Sequence, residues 1–175
     1  MRLKIIRADS RCLSRLYAEI TLVATDDMLH SLYNLWNSSL VNVQRIEGIV
    51  WSINLEPLPS AIYARAAKTN SLGLSDRKGT LIVTLLSATW SRADDDLIVE
   101  DEARRLLEKT RNEARRLGAY DPFVYLNYAG HWQDPISSYG EESLQNLRRV
   151  RDTVDPEGLF TYREPGGFKI PPYRS

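Results

Sequence analysis

Hydrophobic and polar residues alternate from Arg15 to Thr25. Leu16, Ala18, Ile20, Leu22 and Ala24 fall on one side, with Tyr17, Glu19, Thr21, Val23 and Thr25 on the other. A period of two predicts a strand with one dry face and one mixed face. The period then lengthens. Leu29, Leu32, Tyr33, Trp36, Leu40 and Val43 trace a helical stripe, capped by Thr25 or Asp26 and ended near Gly48. Alternation returns over Ile49–Leu55, which places Ser52, Asn54 and Glu56 opposite Ile49, Trp51, Ile53 and Leu55; Pro57-Leu-Pro59 is expected to stop this strand. Residues 60–69 read as a short helix and residues 70–79 as a loop. Residues 80–90 form a third strand rich in β-branched and aliphatic residues. Val99, Ala103, Leu106, Leu107, Thr110, Ala114 and Leu117 mark the longest amphipathic helix, closed by Gly118. Residues 123–128 are short, aromatic and β-prone, and predict a fourth strand. Glu141 and Glu142 open a last helix, with Leu144, Leu147, Val150 and Val154 at helical spacing and Asp155-Pro156-Glu157-Gly158 as its stop.

The order β-α-β, an excursion, then β-α-β predicts an α+β fold. Its layout is a ferredoxin-like split βαβ, with a four-stranded antiparallel sheet backed on one face by helices. A single domain is expected over residues 1–175. It comprises a leader (1–14), the core (15–128) and an extended C-terminal loop, helix and arm (129–175). Met1-Arg-Leu-Lys-Ile-Ile, inside the leader, reads as an edge strand or a poorly ordered segment.

Composition narrows the function classes. Twenty-three acidic side chains balance 23 basic ones, which removes any electrostatic case for nucleic acid or an anionic membrane. No apolar run approaches the roughly eighteen residues that span a bilayer. One cysteine, Cys12, allows neither an internal disulfide nor a cysteine metal cluster, and two distant histidines make no zinc site. No metal is expected. With no signal-peptide pattern at the N-terminus, a cytoplasmic location is expected.

The face of the sheet turned away from the helices is where chemistry is expected. It carries Tyr17, Glu19, Thr21, Ser52, Asn54 and Glu56, and Tyr125 and Asn127 can join them. Glu19 and Glu56 are the acid/base candidates if burial separates their pKa values; the plainer alternative is solvation or pairing with a cation across the sheet. Tyr125 is the third catalytic candidate, able to orient or protonate a carbonyl. Tyr17, Thr21, Ser52, Asn54, Asn127 and Trp132 are the expected substrate contacts. A bare sheet face needs covering. Two copies packed face to face as a homodimer, or the C-terminal arm, are the expected covers.

A set of residues in one order carries a resemblance. These are Tyr125-x-Asn127-Tyr128, Gln133-Asp134-Pro135, Tyr139-Gly140-Glu141-Glu142, Leu147, Asp155-Pro156-Glu157-Gly158-Leu159-Phe160 and Pro165-Gly166-Gly167-Phe168. They resemble the C-terminal end of fungal FAD-linked oxidases of the berberine-bridge-enzyme-like group. The resemblance implies a substrate domain, an antiparallel sheet backed by helices. It also implies that the mixed face looks toward substrate and flavin, with the Tyr125–Tyr128 segment near the isoalloxazine ring. The flavin-binding lobe of that group lies upstream of the matching region. The expectation is therefore a cofactor-free relative that binds a hydrophobic secondary-metabolite intermediate and guides a cyclisation or isomerisation. The alternatives are half of a split or truncated oxidase, holding FAD with a partner lobe, and a non-catalytic binding module.

Overall fold

A computed structural model describes residues 13–66 and 70–173. Nearly all of the expected leader, including Cys12, and the last three residues of the expected 60–69 helix lie outside these ranges. Three strands form the sheet: β1 (Ser14–Val23), β2 (Val50–Leu58) and β3 (Leu81–Trp90). Their order is β1-β3-β2, all antiparallel, with Ala18 and Ile53 both opposite Leu86. Helix α1 (Asp26–Val43) joins β1 to β2, and α3 (Asp96–Arg116) follows β3. Between β2 and β3 sits the short α2 (Ser60–Tyr63). This α+β arrangement is the expected ferredoxin-like split βαβ layout.

The local signals explain the boundaries. Thr25 is the cap of α1, its hydroxyl accepting from the Met28 amide at 3.2 Å. Gly118, at φ 66°, reverses the chain after α3 in a conformation that favours glycine. β2 does not stop before Pro57 but runs through it to Leu58, with Pro57 opposite Ile82. It lies at the sheet edge, where a proline is tolerated because only one side of the backbone has a ladder to serve.

The even residues of β1 point at the helices. Leu16 and Ala18 pack with Leu86, Trp51, Val99, Ala103, Leu106 and Leu107; Ile20 and Leu22 pack with Met28, Leu32, Ala114 and Ala119. Trp51 fixes α1 to β2 by donating its indole N–H to Ser39 Oγ at 2.9 Å.

The fourth strand is not formed. Residues 123–125 are extended but unpaired, and Leu126–Tyr128 is a 3₁₀ turn. The place beside β1 is taken a few residues earlier, by a single antiparallel bridge between Leu22 and Tyr120, with Val23 N–H donating to Ala119 O at 2.8 Å. Further along the edge a side chain replaces the strand. Gln133 Oε1 accepts from the Glu19 amide at 3.0 Å, and Gln133 Nε2 donates to the Glu19 carbonyl at 2.7 Å. A primary amide presents the same donor and acceptor as a peptide unit, so one side chain satisfies what a ladder position would.

The chain after α3 then crosses the second face of the sheet. Phe123, Tyr139 and Leu74 pack there on Leu81 and Val83 of β3, together with Tyr63. Two short helices carry this covering: α4 (Pro135–Ser138) and α5 (Glu141–Val154). Gly73 lets the 70–74 loop approach α4. It sits at φ 67°, and a Cβ there would overlap the Tyr139 carbonyl oxygen. Arg148, buried on α5, donates to the carbonyls of Pro171 and Pro172 at 2.9 and 2.6 Å and so ties down the C-terminal arm. The α5 stripe is only half used: Leu144 is buried, but Val150 is 53% and Val154 72% exposed.

Candidate functional site

The C-terminal covering divides the second face into a closed half and an open half. Glu19 and Thr21, on β1, fall in the closed half and are both buried. Thr21 Oγ1 donates to Glu19 Oε1 at 2.5 Å, while Glu19 Oε2 has no hydrogen-bond partner. Loss of hydration, opposed by the Thr21 hydroxyl and the Tyr125 backbone N–H, raises the Glu19 pKa to about 8, with Asp121 adding a smaller push the same way. Asp121 itself is engaged by Arg77 at 3.2 Å. Glu19 is therefore a neutral, internal carboxylic acid at pH 7, beneath the segment that carries Tyr125.

The open half contains a cleft of about 390 Å³ between β2, α2, the 70–74 loop and the 123–128 segment. Val83, Leu74, Leu58 and Phe123 form its apolar walls, and Glu56, Tyr125 and Tyr128 its polar end. Tyr128 donates its hydroxyl to Glu56 Oε1 at 2.9 Å. That bond, with burial and the Glu56 charge adding to it, raises the Tyr128 pKa. Asn127 Nδ2 donates to the Tyr125 hydroxyl oxygen at 2.8 Å, leaving that hydroxyl's own proton to be donated elsewhere. The Tyr125 and Tyr128 rings meet edge to face, 5.1 Å apart at 86°. A carboxylate and a phenol at one end of an apolar cleft can remove a proton and stabilise the oxyanion that results.

The remaining expected site residues lie elsewhere. Tyr17 and Trp132 line a second cleft of about 340 Å³ at the other end of the sheet, with Arg15, Glu100 and His131. There Arg104 stacks over the Trp132 ring at 4.2 Å, and His131 Nε2 lies 3.6 Å from Glu100. Ser52 pairs with Ser87 of β3 at 2.8 Å, and Asn54 is exposed on the strip between the two clefts. The nine residues therefore separate: Glu56, Tyr125 and Asn127 come together, Glu19 and Thr21 are enclosed, and Tyr17, Trp132, Ser52 and Asn54 stand apart.

Tyr128 and Tyr63 are lining residues that the alternation rule does not supply, whereas Phe123 shares the parity of Tyr125. In a strand, Tyr125 and Tyr128 would point to opposite faces. In a 3₁₀ turn, positions three apart eclipse, so both rings face the cleft. The Asn-Tyr pair and the flanking Ala129-Gly130 were the available signals for a turn. Among the described residues, no three His, Cys, Asp or Glu side chains are grouped to hold a metal, and no helix is long and apolar enough to cross a membrane.

Comparisons with known proteins match the chain to portions of longer fungal proteins. The chain is 41% identical over 120 residues to the FAD-dependent monooxygenase FUP4 of Fusarium proliferatum, a match covering 67% of this chain and 23% of that protein. It is 35% identical over 142 residues to the FAD-dependent monooxygenase drtC of Aspergillus calidoustus, covering 78% of this chain and 27% of the relative. It is also 46% identical over 154 residues to the protein named Oligopeptidase PhomG' of Diaporthe leptostromiformis, covering 87% of this chain but 13% of that one. No family model and no solved structure matches the chain significantly. Such matches span no more than about a third of each relative.

The flavin named in those relatives can be tested against the residues here. Its pyrophosphate is an anion, commonly seated on the bare amides at a helix N-terminus. The first turn of α1 holds Asp26 and Asp27, and that of α5 holds Glu141 and Glu142. The entry to α3 holds Asp94, Asp95 and Asp96. Each would repel a phosphate, so the long helices described do not fit the cofactor's pyrophosphate. The homologues of this chain are fungal FAD-dependent monooxygenases, matched over one portion of their length.

Proposed function

We propose that this chain is a flavin-free relative of the berberine-bridge-like FAD-linked enzymes, one that binds a hydrophobic secondary-metabolite intermediate in the 390 Å³ cleft. There it guides a non-redox isomerisation or cyclisation. The observation that carries this reading is the convergence of Glu56, Tyr125 and Tyr128 at one end of an apolar cleft. The Tyr128 hydroxyl holds Glu56 Oε1 in place. Glu56 takes a proton from a carbon next to a carbonyl, and the electron pair moves into that carbonyl. Tyr125, held by Asn127, donates a hydrogen bond to the resulting enolate oxygen. Returning the proton to a different carbon gives an isomer; attack of the enolate carbon on a carbonyl carbon of the same molecule closes a ring, the π electrons of that carbonyl moving onto its oxygen, which takes back the proton held by Glu56. Neither route needs an oxidant. Glu19 is given a positioning role, because it lies beneath the Tyr125 segment and outside the cleft.

The test is product analysis with conjugated carbonyl precursors. Glu56→Gln should lower turnover by about a hundredfold or more and Tyr125→Phe by about tenfold or more, in line with general-base and oxyanion contributions. Unchanged turnover in both variants removes the assignments. An absorbance spectrum during titration with FAD comes first, and a flavin band co-eluting with the chain alone would end the cofactor-free reading.

A second reading, the substrate half of a split or truncated oxidase, draws support from the strip of exposed apolar residues Val150, Val154, Leu159, Phe160 and Tyr162. Such a strip suits a partner chain bearing the flavin lobe, and flavin retained only in a mixture with that partner would favour it. Pairing of two copies across the Asn54–Glu56 strip is a further proposal, read by the sedimentation coefficient.

A further inference from the structure

The charge of the cleft is unusual for its setting. Glu56 lies on β2 directly opposite Val83, so no cation faces it across the sheet. A carboxylate on a strand ordinarily finds an oppositely charged neighbour there. Its hydrogen-bond partner is the neutral phenol of Tyr128, which occupies Oε1 and leaves Oε2 to a ligand. None of the described residues lining the cleft is Lys, Arg or His. Tyr128 is hydrogen-bonded to the carboxylate and Tyr125 shares its end of the cleft, while Tyr63 and Phe123 line the cleft further in. Tyr125 and Tyr128 stand at 86°, so they form two walls of a corner. Ring faces carry negative quadrupole potential, and perpendicular rings beside a carboxylate make a cage for a cationic nitrogen. An anionic ligand would meet Glu56 with no compensating charge among the described lining residues, whereas a cationic one would find the free oxygen of the carboxylate.

We infer that the cleft recognises a hydrophobic small molecule bearing a cationic nitrogen, an ammonium or iminium, with the charge seated between Glu56 and the Tyr125–Tyr128 corner. This rests on the reading of the cleft as the ligand site. It also deepens that reading, because an iminium conjugated to the reacting carbon accepts the electron pair as an enamine, and an ammonium next to that carbon withdraws electrons inductively; either makes its C–H more acidic toward Glu56.

The full chain is titrated by calorimetry with benzyltrimethylammonium, with its neutral isostere neopentylbenzene and with 3-phenylpropionate. The quaternary ammonium donates no hydrogen bond, so its advantage over the isostere reads charge and cation–π attraction alone. It should bind at least about tenfold more tightly than the isostere, with 3-phenylpropionate weakest. Glu56→Gln should abolish most of that ratio by weakening the ammonium and leaving the isostere unchanged. Tyr128→Phe, which keeps the ring, should retain the ratio. Glu56 is exposed, and circular dichroism of the variant verifies its fold. Equal affinity for ammonium and isostere overturns the cation assignment and leaves an apolar ligand cleft. Binding of neither overturns both this inference and the cleft reading beneath it.

Discussion

Replacing Glu19 with glutamine should flatten the pH dependence of this protein's stability. The carboxyl group is 1% exposed, and its pKa is raised from 4.5 to about 8 in the folded chain. Between those values the folded state holds a proton that the unfolded state has released. Stability therefore falls as pH rises, by about 1.4 kcal/mol per pH unit. The contribution is complete below pH 4.5 and is lost as the pH passes through about 8. Across pH 5 to 8 the loss is on the order of 4 kcal/mol, a large share of the ~5–15 kcal/mol that holds a typical domain together. Glutamine keeps an acceptor for the Thr21 hydroxyl and never ionises, so it reproduces the neutral acid at every pH. Urea unfolding at half-unit steps from pH 5 to 8 measures both proteins. The wild-type midpoint should fall steadily and the Glu19→Gln midpoint should stay nearly level, so that the variant's lead over the wild type widens from pH 5 to pH 8. Parallel slopes in the two proteins would refute the reasoning, because some other group would then be titrating.

Gln133→Ala removes two hydrogen bonds to β1 and leaves a buried backbone pair at Glu19 to be rehydrated; a loss of about 2–3 kcal/mol is expected, with amide exchange speeding up at Glu19 before the centre of β3. Gly73→Ala must move either the 70–74 loop or Tyr139, and combines this clash with the strain of φ 67°; a loss of about 2 kcal/mol or more in thermal or urea unfolding is expected, and a neutral effect would mean that the loop and α4 separate freely.

β1, α1 and α3 were legible because each buries one regular face, and β3, buried along nearly its whole length, because its residues are β-branched and aliphatic. The stripe from Val99 to Ala114 is buried as its spacing predicts, and the alternation in β1 separates Leu16, Ala18, Ile20 and Leu22 from Glu19 and Thr21. Residues 123–128 misled because an aromatic run satisfies a strand pattern, yet its contacts follow a 3₁₀ turn. No local pattern reports that Gln133 will pair with Glu19, 114 positions away in sequence. The same long-range covering explains why Glu19 was read as a pocket residue: alternation assigns a face, and only the path of the C-terminal chain decides which half of that face stays open. The α5 spacing was read correctly as helical, yet amphipathicity says nothing about what meets the Val150–Val154 end.

The amide clamp at Glu19 frees the cleft wall from the parity of the sheet. A strand in a hydrogen-bonded ladder can be lengthened by one residue only at the cost of turning every later side chain to the other face. The segment bearing Phe123, Tyr125 and Tyr128 has no ladder register to preserve, because beyond the bridge at Tyr120 its ties to β1 are side-chain bonds, from Gln133 to the Glu19 backbone and from the Tyr125 amide to the Glu19 carboxyl. Single-residue insertions between Tyr125 and Gln133 can shift the Tyr128 ring along the cleft while Phe123 keeps its packing on Leu81 and Val83. The architecture thus separates the part that must stay constant for folding from the part that can drift to suit a new ligand.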